Sequence, residues 1–173
     1  FQIYSFYILN TINKNSISFF SAQNTDDTNI ITDTMIKLSE DNNFYGVLAK
    51  LELIEINLKQ NNIQDSISMY LEVINQNNLD PVYISAIASK ASYQFIDINL
   101  DDLSSDYLSI INDFISYIDD ETDSYKDIKL ELEYLKKILE VEKNSIDYLS
   151  FNEVNDIYEN IMNSDDMSSA IKE

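Results

Sequence analysis

Asp97, Asn99 and Asp101 stand two residues apart, the spacing with which the first three ligands of a calcium-binding loop converge on one ion. The pattern then fails. Asp102 occupies the sixth position, where the sharp turn requires Gly, and Leu108 the twelfth, where a bidentate Glu would close the shell. These acids read better as helix caps. Asp119, Asp120, Glu121 and Asp123 form a second cluster ahead of a helical stretch. Carboxylates there favour the positive end of the helix dipole by about 0.3–1 kcal/mol each, a weak divalent-ion site being the alternative. Glu131 with Glu133 and Glu140 with Glu142 are the nearest pairs for acid–base work. Two residues of separation point them to different faces of a helix, so neither is a dyad. Glu133 and Lys137 have the favourable i, i+4 order of a surface ion pair.

Missing residue types narrow the chemistry further. The chain has no His, Cys or Trp, its 11 basic residues are all Lys, and Gly46 and Pro81 are single. Zinc sites of the usual ligands, thiol or Ser-His nucleophiles and the commonest haem ligands are excluded, and one glycine cannot build a phosphate-cradling loop. The reading is therefore of a chain without catalytic, cofactor-binding or metal residues, and not an enzyme. A net charge of −20 disfavours nucleic acid and anionic lipid. It is unevenly placed: residues 1–24 hold Lys14 and no acid, which leaves −21 for residues 25–173.

Elements that would position any site follow from periodicity. At 173 residues and 45% apolar content the chain can bury a sizeable core, so its charge does not imply disorder. Apolar stripes at helical spacing recur as Val47/Leu51/Ile54/Leu58, Ile63/Ile67/Tyr70/Ile74, Ile84/Ala88/Ala91/Phe95, Leu103/Tyr107/Ile110/Phe114 and Ile128/Leu132/Leu135/Leu139. Shorter ones appear at Ile31/Met35/Leu38 and Val154/Tyr158/Ile161. Asp80-Pro81 predicts an N-cap before a proline at the first helical position, and Ser150 with Glu153 a capping box. Asn61-Asn62, Asn99 to Asp102 and Asp119 to Thr122 mark further boundaries. Brief connections imply antiparallel neighbours.

Two features point to stacked pairs. Leu130/Tyr134/Ile138/Val141 is a second stripe beside Ile128/Leu132/Leu135/Leu139, which implies packing on two sides, and the run Ser85, Ala86, Ala88, Ser89, Ala91, Ser92 permits close helix approach. The expected fold is all-α, antiparallel helix pairs stacked as a short α-solenoid, with first helices starting near Val47, Ile84 and Ile128. Residues 1–24 form an N-terminal helix opening with seven apolar or aromatic residues in nine. It is either the continuation of a membrane anchor upstream of Phe1 or a first helix under its neighbours. The helical-repeat domain is expected over residues 25–173.

The stretch from Tyr45 to Pro81 resembles a tetratricopeptide-like repeat. Leu53-Ile54 stands at its leucine-small pair, Asn61-Asn62 in its turn, Ser66 at its alanine, Tyr70 at its aromatic and Pro81 near its terminal proline; Ile54 and Ser66 depart from the small residues it carries there. The run FYGVLAKLELIEINLKQNNIQDSI, with a small-rich helix after it and a last helix-turn-helix from Ile128 to Glu173, resembles the ancillary subunit of the bacterial SecYEG translocon. That resemblance implies a membrane helix ahead of this chain, a domain facing the periplasm from the inner membrane, and translocon or envelope partners. Abundant Ile and Asn, with Lys wholly replacing Arg, suit an AT-rich bacterial genome.

The functional expectation is a non-enzymatic protein–protein interaction module whose acidic surface takes a protein or peptide partner carrying basic residues. A carboxylate-based metal protein or enzyme and a secreted host-directed effector on the same scaffold are the alternatives. Tyr70, Tyr107 and Tyr158 fall on core stripes. Of Tyr4, Tyr45, Tyr83, Tyr93, Tyr117 and Tyr148, not all accounted for by stripes, some could line a binding groove. The alternative is that they fill gaps between helix layers, and the partner-binding residues stay open.

Overall fold

A computed structural model of the chain describes residues 2–76, 79–102, 106–120 and 123–143, together with 156 and 159, with side chains from residue 9 onward and, in the last segment, from 125. The capping box at Ser150, the stripe at Val154 and the tyrosines at 148 and 158 lie outside these residues, as does the side chain of Tyr4. Among the described residues the fold is all-α: α1 Gln2–Gln23, α2 Thr28–Ser39, α3 Phe44–Lys59, α4 Ile63–Ile74, α5 Pro81–Asp101, α6 Leu108–Ser116 and α7 Asp123–Lys143. The chain divides into two compact units, Phe1–Asn75 and Gln76–Glu173.

In the first unit α1 packs on α2 and α3, α2 on α3, and α3 on α4, so helices joined by three- or four-residue links lie as antiparallel neighbours in series. Side chains set the starts. Asp27 accepts from the amides of Asn29 and Ile30 to cap α2, and Asn43 accepts from Tyr45 and Gly46 to cap α3. Asn61-Asn62 stand at the boundary between α3 and α4, as expected, and close the first of the two. Asn61 adopts a left-handed conformation (φ 61°), donates to Leu58 O at 3.0 Å, and is followed by Asn62 donating to Asn57 O at 2.8 Å. This is a Schellman closure of α3 with Asn in the glycine position. Phe19, Ala22, Met35, Leu38, Ala49 and Leu53 form the core, with Tyr45 and Met69 packed against it.

Gly46 permits the α2–α3 corner. A Cβ there would overlap the Asp41 carbonyl oxygen and stand 3.0 Å from Asp41 C and 3.2 Å from Leu38 O. The same Asp41 accepts from the buried Asn15 amide at 2.6 Å, which ties the corner to α1. Between α3 and α4 the four positions of the repeat-like pattern, Leu53, Ile54, Ser66 and Tyr70, are all buried.

In the second unit α5 packs on α6 and α7, and α6 on α7. Asp80 caps α5 by accepting from Val82 N at 2.9 Å, with Pro81 at the first helical position. Ser85, Ala88, Ser89, Ala91 and Ser92 are buried along its inner face. Ser89 and Ser92 return their hydroxyls to Ser85 O and Ala88 O, while Ser85 Oγ accepts from Asp119 N at 3.0 Å. Small side chains thus bring α5 against its neighbours without leaving a polar group unsatisfied. Phe95 centres the aromatic core, 5.6 Å from both Tyr107 and Phe114.

The α5–α6 boundary differs from the spacing-based expectation. The stripe Leu103/Tyr107/Ile110/Phe114 predicts a helix from residue 103, whereas α5 continues to Asp101 and α6 opens only at Leu108. Asn99, fully buried, is the reason. Its amide donates to Asp102 O and its carbonyl accepts from Tyr107 N, both at 3.2 Å, so one side chain holds both ends of the connection.

Candidate interaction surfaces

The sequence-selected carboxylates do not converge. Asp97 and Asp101 are exposed one turn apart on α5, while Asn99 between them is turned inward to the loop, so the three lie on a helix rather than around an ion. Of the second cluster, Asp119 gives its backbone amide to Ser85, and the exposed Asp120 pairs with Lys129 at 2.8 Å. The Lys129 hydrogen bond, with its charge, holds the Asp120 carboxyl below its ordinary value. Glu121 and the Asp123 side chain lie outside the described residues. Among the described residues no three acids are grouped to hold a metal ion. Glu131 accepts from Tyr93, and Glu140 pairs with Lys137 at 3.0 Å, so these acids are engaged singly.

Lysines on α7 form a pattern that the pairwise reading of charges overlooked. Lys129 reaches Ile118 O and Asp120, Lys136 reaches Asn112 Oδ1 at 2.7 Å, and Lys143 reaches Asp106 at 3.4 Å. They are seven residues apart while their partners step backward along the chain, which is the signature of α7 running antiparallel to α6. Leu132 and Leu139, also seven apart, are fully buried. The equal spacing of Lys and Leu was the available signal. A pocket of ≈ 200 Å³ beside Lys129, lined by Asp120, Lys126, Leu130 and Glu133, is smaller than ordinary ligand sites and mixed in charge.

Among the described residues, besides Ile30 and Ile36 on α2, exposed apolar side chains gather on α5 and on α1, each with its own charge setting. On α5, Val82 and Tyr83 are each 51% exposed and Leu100 is 44% exposed. Ala86, Lys90, Asp97 and Asp101 are exposed on the same side, opposite the buried face of Ser85, Ala88, Ser92 and Asn99. Among the described candidates Tyr83 is the most open to solvent: Tyr45, Tyr93 and Tyr117 are half-buried, and Tyr70 is fully buried as expected of a core position. Burial, with Glu55 nearby, pushes the Tyr70 hydroxyl well above its ordinary value. Burial followed by the charge and hydrogen bond of Glu131 does the same to Tyr93.

The other surface is on α1. One face of this helix is buried through Asn15, Phe19 and Ala22, whereas Leu9, Ile17 and Phe20 are 61%, 68% and 52% exposed. Phe20 and Phe44, the latter also half exposed, flank the half-buried Tyr45 with ring centroids 6.4 and 5.9 Å away. No helix among the described residues is long and apolar enough to cross a membrane. Comparison with protein-family models, curated proteins and solved structures finds no match.

Proposed function

We propose that this chain is a non-enzymatic protein-interaction module whose second unit recognises a partner segment carrying lysine or arginine among apolar side chains. One observation carries the reading: the outer face of α5 exposes Val82 and Tyr83 near its start and Leu100 beside Asp97 and Asp101 near its end, with Lys90 between, along a helix of about 31 Å at 1.5 Å per residue. Apolar anchors on a face whose exposed charges are two acids and one lysine suit an amphipathic basic segment that meets the acidic end. Gln76–Glu173 carries 22 of the 31 acids against seven of the 11 lysines, so long-range attraction would speed encounter and weaken with salt. The resemblance to the ancillary translocon subunit, carried by residues 44–67, the small-rich helix and the last helix-turn-helix, extends the proposal to place: a domain held at the periplasmic face of the inner membrane, with translocon or envelope proteins as partners.

A photo-crosslinking residue at Val82 tests this in cells. Capture of a basic envelope protein that Asp97→Asn with Asp101→Asn abolishes is the expected result. Capture that ignores those substitutions, or no capture above that from the buried position Ala88, would refute the reading.

A further inference from the structure

We propose that this protein self-associates through α1, two copies packing the helix antiparallel about a two-fold axis at Asn13. The surface is distinct from the α5 face and does not depend on its role. Leu9, Asn13 and Ile17 succeed one another by four residues and Phe20 follows by three, so they form one ridge of the kind that interdigitates between helices. All four are exposed, although the opposite face of the helix is packed in the first unit.

The register of this ridge is self-complementary. With the axis at Asn13, Leu9 of one copy meets Ile17 of the other, and Asn13 meets Asn13. A carboxamide both donates and accepts, so two of them can exchange hydrogen bonds. A single polar pair within an apolar seam fixes alignment. Such an isologous contact closes on itself and forms no open chain of subunits.

Charge selects a second copy over other occupants. In a chain of net −20, most surfaces set acid against acid when two copies meet; residues 1–24 contain Lys14 and no acid, so α1 is where like molecules approach with least repulsion. A membrane-surface helix needs cations along its polar face. Here the single Lys14 accompanies a strongly acidic body that anionic lipid repels. The ridge is short, so the expected dimer is a micromolar one and not an obligate one.

Sedimentation velocity of the full chain from about 1 to 200 µM should move from monomer to dimer mass. Ile17→Lys should weaken the dimer about tenfold or more, with an unchanged melting curve because the side chain is mostly solvent-exposed. The chain has no cysteine, so Asn13→Cys should form a disulfide-linked dimer under mild oxidation while the exposed control Ser18→Cys on another face of α1 does not. A monomer throughout the range, a dimer indifferent to Ile17→Lys, or equal crosslinking at both positions would overturn the proposal. So would uptake onto vesicles of mixed zwitterionic and anionic phospholipid by a chain that stays monomeric in solution.

Discussion

Gly46→Ala separates local preference from tertiary demand because the two predict opposite signs. In a helix, Gly→Ala is worth up to about 1 kcal/mol of stabilisation. At Gly46 the new methyl would overlap Asp41 O and crowd Asp41 C at 3.0 Å and Leu38 O at 3.2 Å. All three are backbone atoms, so no side chain can swing aside. The start of α3 must back away from residues 38–41 by about an ångström, an overpacking cost of about 1–3 kcal/mol. That movement pulls on Asp41, whose 2.6 Å bond to Asn15 is a charge-assisted contact worth about 1.5–3 kcal/mol. After subtracting the propensity gain, the net expectation is a loss of about 1.5–5 kcal/mol, a large part of the 5–15 kcal/mol of a typical domain. Urea unfolding followed by far-UV circular dichroism measures it. Asn15→Ala should cost less in the Gly46→Ala background than in the native chain, because the bond it removes is already strained. A Gly46→Ala protein as stable as the native one, or more so, would refute the close-approach account.

Two further outcomes follow from buried polar groups. Asn99→Ala should lower stability by about 1–3 kcal/mol and speed amide exchange at the start of α6, since Asp102 O and Tyr107 N both lose their partner. Asn99→Asp should also destabilise by removing the donor and burying a charge; if it instead conferred calcium binding detectable by calorimetry, the loop role of Asn99 would be wrong. Tyr70 and Tyr93 are held protonated in the folded state well above the ordinary value of 10.0, so the native chain binds more protons than the unfolded one at alkaline pH. Stability is therefore full below about pH 10 and falls as pH rises beyond it, each tyrosine contributing a slope of up to about 1.4 kcal/mol per pH unit. Urea midpoints at neutral and alkaline pH should show the decline, and Tyr70→Phe should flatten it; an unchanged slope in that variant would rule out Tyr70 as a source.

Short-range pattern carried much of the fold. Met35 with Leu38, Ile67 with Tyr70 and Ile74, Ala88 with Ala91 and Phe95, and Leu132 with Leu139 are stripe residues that end buried, because one helix face is fixed by 3.6-residue periodicity whatever lies opposite. Asp80-Pro81 acted as read for the same reason, its capping contact being two residues long. Asn61-Asn62 marked a boundary as read, but how they make it was not legible, and the stripe from Leu103 misplaced the start of α6. An Asn before an apolar run can start a helix, close the previous one in a left-handed turn, or reach across a loop, and these alternatives differ in backbone angle and in distant partners, not in composition. The lysines at 129, 136 and 143 were visible, but their partners at 118–120, 112 and 106 become neighbours only when α6 and α7 lie side by side.

By itself the sequence determined the all-helical class, the acid-free first helix, and a repertoire of carboxylate, lysine and tyrosine without His or Cys, since composition and period need no partner to be defined. Tertiary structure alone decided which apolar faces stayed open. Phe19 and Phe20 are adjacent and equally apolar in sequence, yet one is 5% and the other 52% exposed, because burial belongs to the helices that arrive from elsewhere in the chain. The single Gly46 gained its role in the same way: the carbonyl it accommodates is five residues back in sequence and reaches it only through the folded corner between α2 and α3.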